Sequence, residues 1–285
     1  MEVSAGHTGA TRSPTYEVAE TVGVAQHPPE LRMFEFIAKT PMATEALFRS
    51  DAYLTECEAT VTAVSPEGIE LDRTVFYPLG GGQAGDSGAF HFPDGRLVRL
   101  VDARKCRRDG ATPDDVLHIP AAGQDDVVAQ IQVGQRVTAI IDWERRYRHM
   151  RFHTATHLLC AVVGELVDGC SITSDYARLD FAMTQILEKE SVQERLARLI
   201  TAAHPVGTRW ISDEEMIANP HLVKSMSVKP PIGFGQVRLL EIEGVDLQPC
   251  GGTHVRNTAE IGELRVTKIE KKSARTRRVV LGFPS

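Results

Sequence analysis

MRFHTATHLLCAVV, residues 150–163, decides how this chain is read. Leu158, Leu159, Val162 and Val163 fall at helical spacing, and the pattern extends over 143–165 as one helix with a broad buried face. Inside that face stand two histidines, His153 and His157, four residues apart. Positions i and i+4 of a helix lie one above the other, so both imidazoles can address a single point. A spacing of about 2 Å from each nitrogen to that point is zinc-ligand geometry. An HxxxH pair alone also fits ordinary packing, so a second group is needed.

Upstream of Asp142 the pattern is β. CEATVTAV (57–64), GIELD (68–72), RLV (99–101) and RVTAII (136–141) read as short strands, and SPEG (65–68) and PDG (93–95) supply turns between them. Short strands with irregular loops predict a small β-barrel. Downstream, RLDFA (178–182) alternates like a strand, and 188–204 is an amphipathic helix carrying Val192, Leu196, Leu199 and Ile200. Further strands are expected at 210–212, 237–242, 263–269 and 278–281. The fold class expected is α+β: an N-terminal small β-barrel domain followed by an α+β zinc-containing domain of helices on a mostly antiparallel sheet. The domain limits are a mobile extension over 1–41, the barrel over 42–142 and the metal-containing domain over 143–285.

The 285 residues are 42% hydrophobic and 25% charged, an ordinary globular composition. No apolar run approaches the roughly 18 residues needed to span a bilayer, so no membrane partner is expected. The N-terminus shows no basic-then-apolar leader, and Glu2, Glu17 and Glu20 argue against a transit peptide. Cys57, Cys106, Cys160, Cys170 and Cys250 are scattered without CxxC spacing, which fits a reducing compartment and a cytoplasmic location. Of the net charge of −6, residues 1–60 carry most, with four Lys/Arg against nine Asp/Glu. The remainder is near neutral and holds basic clusters at 104–108, 145–151 and 268–278, a distribution compatible with a local phosphate-binding face. Nothing calls for an obligate protein partner.

The second group is CGGTH, Cys250 to His254. A thiolate and an imidazole bracket two glycines that let the backbone bend tightly. HxxxH plus CxxxH offers three nitrogens and one sulfur, a set suited to one tetrahedral Zn²⁺ ion. The residues leave open whether such an ion acts in chemistry or only joins helix to loop. Zinc peptidases place a glutamate after the first histidine as general base, whereas this chain has Thr154. Peptide hydrolysis is therefore not expected; cleavage of a more labile ester stays open.

HTATH followed by CGGTH, with YPLGGGQ (77–83) upstream and MATEALF (42–48) before that, resembles the editing domain of alanyl-tRNA synthetases, and more specifically the free-standing AlaX trans-editing proteins. The resemblance covers about 42–285, with 1–41 outside it, and no aminoacylation domain is expected ahead of it. It implies an enzyme, an ester hydrolase that removes serine or glycine wrongly attached to tRNA(Ala). It implies metal ligation by His153, His157, Cys250 and His254, and a pocket formed by Gly80, Gly81, Gly82 and Gln83, whose glycines let backbone N–H groups approach the substrate.

Thr154, Thr156 and Gln83 are the candidates to hydrogen-bond the attacking water or the serine hydroxyl. The four-ligand set favours positioning of the aminoacyl group by zinc over activation of zinc-bound water. Asp180 matches an acidic family position and either orients a zinc-bound histidine or makes a structural salt bridge. The basic tail, with Lys271, Lys272, Arg275, Arg277 and Arg278, resembles a family segment beside the active site and is expected to meet phosphates of the tRNA(Ala) acceptor end. Arg145, Arg146, Arg148 and Arg151, at the start of the zinc helix, are candidates for the same face. Two further readings stand beside this one: a non-catalytic, zinc-stabilised tRNA-binding module, and a zinc hydrolase of some other acyl ester.

Overall fold

The computed structural model describes residues 43–284, residue 113 excepted. The extension expected over 1–41 lies outside the described residues. The described chain begins with a two-residue strand, β1 (Glu45–Ala46), and one helical turn, α1 (Leu47–Ser50). There follow β2 (Glu56–Ser65), β3 (Gly68–Leu71), β4 (Arg73–Thr74), β5 (Gly88–His91), β6 (Leu97–Lys105), β7 (Val116–Pro120), the turn α2 (Asp125–Val128) and β8 (Arg136–Ile141).

Six of these strands close into a barrel in the order β2-β3-β7-β6-β5-β8, every pairing antiparallel. The strand period of two is plain in β8, where Val137, Ala139 and Ile141 are buried. In β6 the inward set steps from Val98 and Leu100 to Ala103, because a bulge between Leu100 and Asp102 shifts the register. Phe76, Phe90, Val61, Ile69 and Leu71 fill the interior. Each fully buried side chain of this size contributes about 1.5–3 kcal/mol. His118 lies among them with both ring nitrogens occupied, Nδ1 donating to Ile69 O (2.9 Å) and Nε2 accepting from Thr74 Oγ1 (2.8 Å). Burial pushes its imidazole down to about 4.

Helix α3 (Trp143–Val163) follows directly. Asp142 caps its start by accepting from the Arg145 N–H at 3.1 Å. Gly164, at φ 78°, ends it two residues short of the predicted limit. Then come β9 (Val167–Ile172), β10 (Ala177–Ala182), α4 (Lys189–Thr201), β11 (Val206–Ser212), α5 (Asp213–Ala218), β12 (Gln236–Ile242), β13 (Asp246–Pro249), β14 (Arg265–Ser273) and β15 (Thr276–Gly282). They form an antiparallel four-stranded sheet, β14-β15-β10-β9, and an antiparallel three-stranded sheet, β11-β12-β13. The architecture is thus α+β with a closed barrel. Among the described residues no helix is long and apolar enough to cross a membrane.

Leu158, Leu159 and Val162 of α3 pack with Leu196 and Ile200 of α4, Leu179 and Phe181 of β10, Leu281 of β15, and Leu240 and Ile242 of β12. The predicted strands at 178–182, 237–242, 263–269 and 278–281 all lie on or overlap sheet strands. β9 and β13 were not predicted: VDGCSI and DLQP lack an apolar alternation strong enough to register.

The arginines expected to join a phosphate-binding face are instead spent on internal contacts. Arg145 reaches Gly85 O, Arg148 donates to Ser174 O at 2.6 Å, and Arg151 donates to Ile261 O at 2.7 Å. Arg146 is fully buried and grips Asp86 with both Nε and Nη2, while its Nη1 and Nη2 donate to Ala52 O and Val75 O. Asp86 in turn accepts from the Tyr77 N–H, closing the base of the loop 77–86.

The outer edge of β9 carries two further segments. At its end Ile172 exchanges hydrogen bonds with the glycine loop, from Ile172 N to Gly82 O and from Ala84 N to Ile172 O. At its start Val167 does the same with Lys224 O and the Met226 N–H. These two segments become opposite walls of a cavity.

Candidate metal centre and its cavity

Helix α3 presents His153 and His157, and the loop after β13 presents Cys250 and His254; their ligand atoms all lie within 4.8 Å of one another. Cys250 Sγ is 3.2 Å from His254 Nε2 and 3.5 Å from His153 Nε2. Tetrahedral bonds of about 2.0–2.3 Å place ligand atoms roughly 3.3–3.6 Å apart, so the donor set fits one metal ion. Gly252 is required for this approach, because a Cβ there would overlap the His153 ring.

Each imidazole is turned by a buried partner on its outward nitrogen. His153 Nδ1 donates to Gln83 Oε1 at 2.7 Å, His157 Nδ1 to Asp246 Oδ2 at 3.0 Å, and His254 Nδ1 to Thr154 Oγ1 at 3.3 Å. These bonds fix the tautomers so that the three Nε2 lone pairs face inward, as metal ligation requires. Asp246 is itself held by Gln248 Nε2 (2.6 Å) and by the Lys224 ammonium. Burial alone would raise the Cys250 thiol, but the imidazoles of His153 and His254 bring it well below its ordinary value, favouring the thiolate that ligates metals. Burial and the proximity of His153 push His254 down. Burial works the same way on His157, yet Asp246 and Cys250 raise it to about 9.

His153, His157 and Cys250 of the cluster line a cavity of about 560 Å³. Gly80 and Gly81 border it from the barrel side, Thr156 and Cys170 from below, and Arg238, Trp210 and residues 223–234 from the opposite side. Arg238 holds the metal loop in shape by donating to Cys250 O (2.7 Å) and Gly252 O (3.1 Å). Burial pushes the Cys170 thiol up to about 12, so it stays a neutral lining group.

A family model described as the threonyl and alanyl tRNA synthetase second additional domain matches residues 237–280, from β12 through the CGGTH loop to β15. Along most of its length the chain is similar to the alanyl-tRNA editing protein AlaX-M of Methanosarcina acetivorans, 36% identical over 249 residues, which is 83% of this chain and 97% of that protein. The chain belongs to the AlaX-M family of alanyl-tRNA editing proteins. The family member from Saccharolobus solfataricus is 32% identical over 250 residues, again 83% of this chain and 97% of the relative. The alanine–tRNA ligase of Metallosphaera sedula is 33% identical over 246 residues, covering 80% of this chain and 25% of the ligase.

In this family member the predicted site residues separate into those the fold gathers and those it does not. The four ligand candidates converge. Gly80, Gly81 and Thr156 line the cavity. Gly82, at φ 87°, lies against Cys170, whose Sγ would be 2.7 Å from any Cβ added there. Gln83 and Thr154 are fully buried behind the imidazoles. Gln83 Oε1 also accepts from the Thr253 N–H and its Nε2 donates to Thr253 Oγ1, so the side chain positions His153 and the metal loop. The Thr156 hydroxyl donates to His153 O at 2.7 Å.

Asp180 does not reach a histidine. It is ion-paired with Arg278, Lys272 and Arg178, the structural alternative of the two it was given, and although burial opposes it, Arg278 and Lys272 hold its carboxyl well below the usual range. Arg277 is buried and donates to Gln185 O and Thr184 O. Lys271 and Arg275 are exposed, and no member of this tail lines the cavity.

The cations that do line it are Lys105, from the basic cluster at 104–108, and Arg49, Lys224, Lys229 and Arg238, which sequence reasoning passed over because they are single charges far apart in the chain. Asp246 was missed for the same reason: it reaches His157 across 89 residues. Its place four residues before Cys250 was the one available signal.

Proposed function

We propose that this protein is a trans-editing hydrolase that frees tRNA(Ala) of wrongly attached serine or glycine in the cytoplasm, using one Zn²⁺ ion held by His153, His157, Cys250 and His254. The observation that carries the reading is the arrangement of the site: four candidate ligand atoms converging, each imidazole oriented by a buried partner, beside a cavity of about 560 Å³. Family membership supplies the substrate class, since the relatives are named for alanyl-tRNA editing.

Zinc bound there would supply a positive charge that holds the aminoacyl group and polarises its carbonyl. The chain's own residues do the rest. Gly80 and Gly81 bring backbone up to the cavity with no side chain in front of it. Thr156 places a hydroxyl at the cavity surface, where it can engage the serine side chain or the attacking water; a polar partner left unpaired by alanine discriminates against the correct product. Gln83, Asp246 and Thr154 are positioning residues, each acting through one imidazole.

The test is deacylation of serine-, glycine- and alanine-charged tRNA(Ala) by purified protein, with metal content measured alongside. The expected result is release of serine or glycine with alanine spared, one zinc per chain, and a loss of at least about 100-fold in rate for Cys250→Ala. Unchanged hydrolysis by that variant overturns the role of the metal. Binding of tRNA without deacylation by the wild type leaves the non-catalytic module in its place.

A further inference from the structure

Eight phenylalanines lie in the described chain, and six of them are at most 5% exposed; Phe234 is 66% exposed. It is held in that position. Gly233 and Gly235, at φ 104° and 85°, flank it, and both of their N–H groups donate to Asp213 Oδ2, at 3.0 and 2.8 Å. Asp213, the first residue of α5, thus pins the loop on either side of the ring.

Trp210 is half exposed and is placed by sheet register. Along β12, Gln236, Arg238, Leu240 and Ile242 alternate onto one face. Leu240 and Ile242 enter the main core, and Arg238 holds the metal loop. Trp210 of β11 is the register partner of Arg238, so it stands beside that residue on the same face. Both rings line the cavity above the metal centre.

The charge around them has one sign. Arg49, Lys105 and Lys229 border the same cavity, where the sole carboxylate among the lining residues is Asp114, paired with Arg49. Lys105 and Lys229 make no ion pair among the described residues, and the Lys105 stem lies beside Gly80.

We propose that Trp210 and Phe234 form a stacking platform for the terminal base of the nucleic-acid substrate, with Lys105 and Lys229 facing the phosphate that precedes it. This rests on the tRNA reading above and deepens it by assigning the base a place. Two water-exposed rings are costly to present unless a flat apolar partner covers them. A nucleobase is such a partner, and the backbone phosphate that precedes it carries the negative charge that unpaired ammonium groups attract. A folded protein surface would meet the rings but could not also reach the cavity floor, whereas a single strand does both.

Two measurements test it. In steady-state deacylation of Ser-tRNA(Ala), Trp210→Ala and Phe234→Ala should each raise KM about 10-fold with kcat held within twofold, and Trp210→Phe and Phe234→Tyr should restore most of the loss. A tRNA(Ala) minihelix carrying 2-aminopurine as its terminal base should be quenched by wild-type protein, and the double alanine variant should lose that quenching. Unchanged KM, a fall in kcat instead, or absent quenching by wild type overturns the platform. Loss of self-association in Phe234→Ala with KM unchanged assigns the rings to a protein contact instead. Because the minihelix reports binding without hydrolysis, failure of the platform is distinguishable from failure of the enzymatic reading.

Discussion

The barrel and the helical half each bury histidine, and they treat it in opposite ways. In the barrel, His118 has both nitrogens satisfied by groups of the barrel itself, and nothing remains to bind. In the helical half, His153, His157 and His254 each spend one nitrogen on a buried partner and aim the other at a shared point. Burial is therefore not the mark of a functional histidine. An unsatisfied nitrogen directed at other unsatisfied ligands is the distinguishing feature.

That contrast can be broken hardest at the bond joining the two regions. Arg146→Met leaves the Asp86 charge buried and unpaired beneath the glycine loop, and should cost about 3–5 kcal/mol in urea unfolding. Adding Asp86→Leu should recover part of it; a loss below about 1 kcal/mol for the single variant would show that the ion pair does not join the halves.

A smaller effect lies within the barrel. His118 titrates near 6.5 when unfolded and about 4 when folded, so its stabilisation is complete above pH 6.5 and is lost as pH falls toward 4. The loss is about 3 kcal/mol across that window, read as the difference between wild type and His118→Gln in urea midpoints at pH 7 and 4.5. Equal slopes for the two proteins would remove His118 from the pH dependence.

The smallest effect sharpens the comparison most. Gln83→Ala and Asp246→Ala should each weaken metal affinity 10- to 100-fold in chelator competition, as expected for partners behind a ligand, whereas His118→Gln should leave it unchanged. A uniform loss across all three variants would mean that general stability, not orientation, sets the affinity.

The convergence of the four ligand candidates was legible because two of them share a helix turn and two share a five-residue loop, so local spacing carried the geometry. The partners that turn the imidazoles were not. The family resemblance puts Gln83 in the pocket with Gly80, Gly81 and Gly82, yet the fold turns its side chain onto His153 and Thr253. The pairing within the basic tail was hidden for a related reason: its charge is visible along the hairpin of β14 and β15, while Asp180, which pairs with Lys272 and Arg278, sits on β10, opposite Arg278 in the register. The barrel was legible as a class of fold. Its closure was not, since the order β2-β3-β7-β6-β5-β8 depends on pairings between distant strands.

The free edge of β9 holds the glycine loop at Ile172 and the 224–226 segment at Val167. The glycine loop is tied down three times over, by this edge, by Arg146 through Asp86, and by Gln83 through Thr253. The other wall hangs from Val167, from Asp213 and from the Lys224–Asp246 ion pair, all at its two ends. Change in what this cavity admits is therefore open to insertion and drift on that side, while the glycine side can scarcely vary without disturbing His153 and the loop of Cys250 and His254.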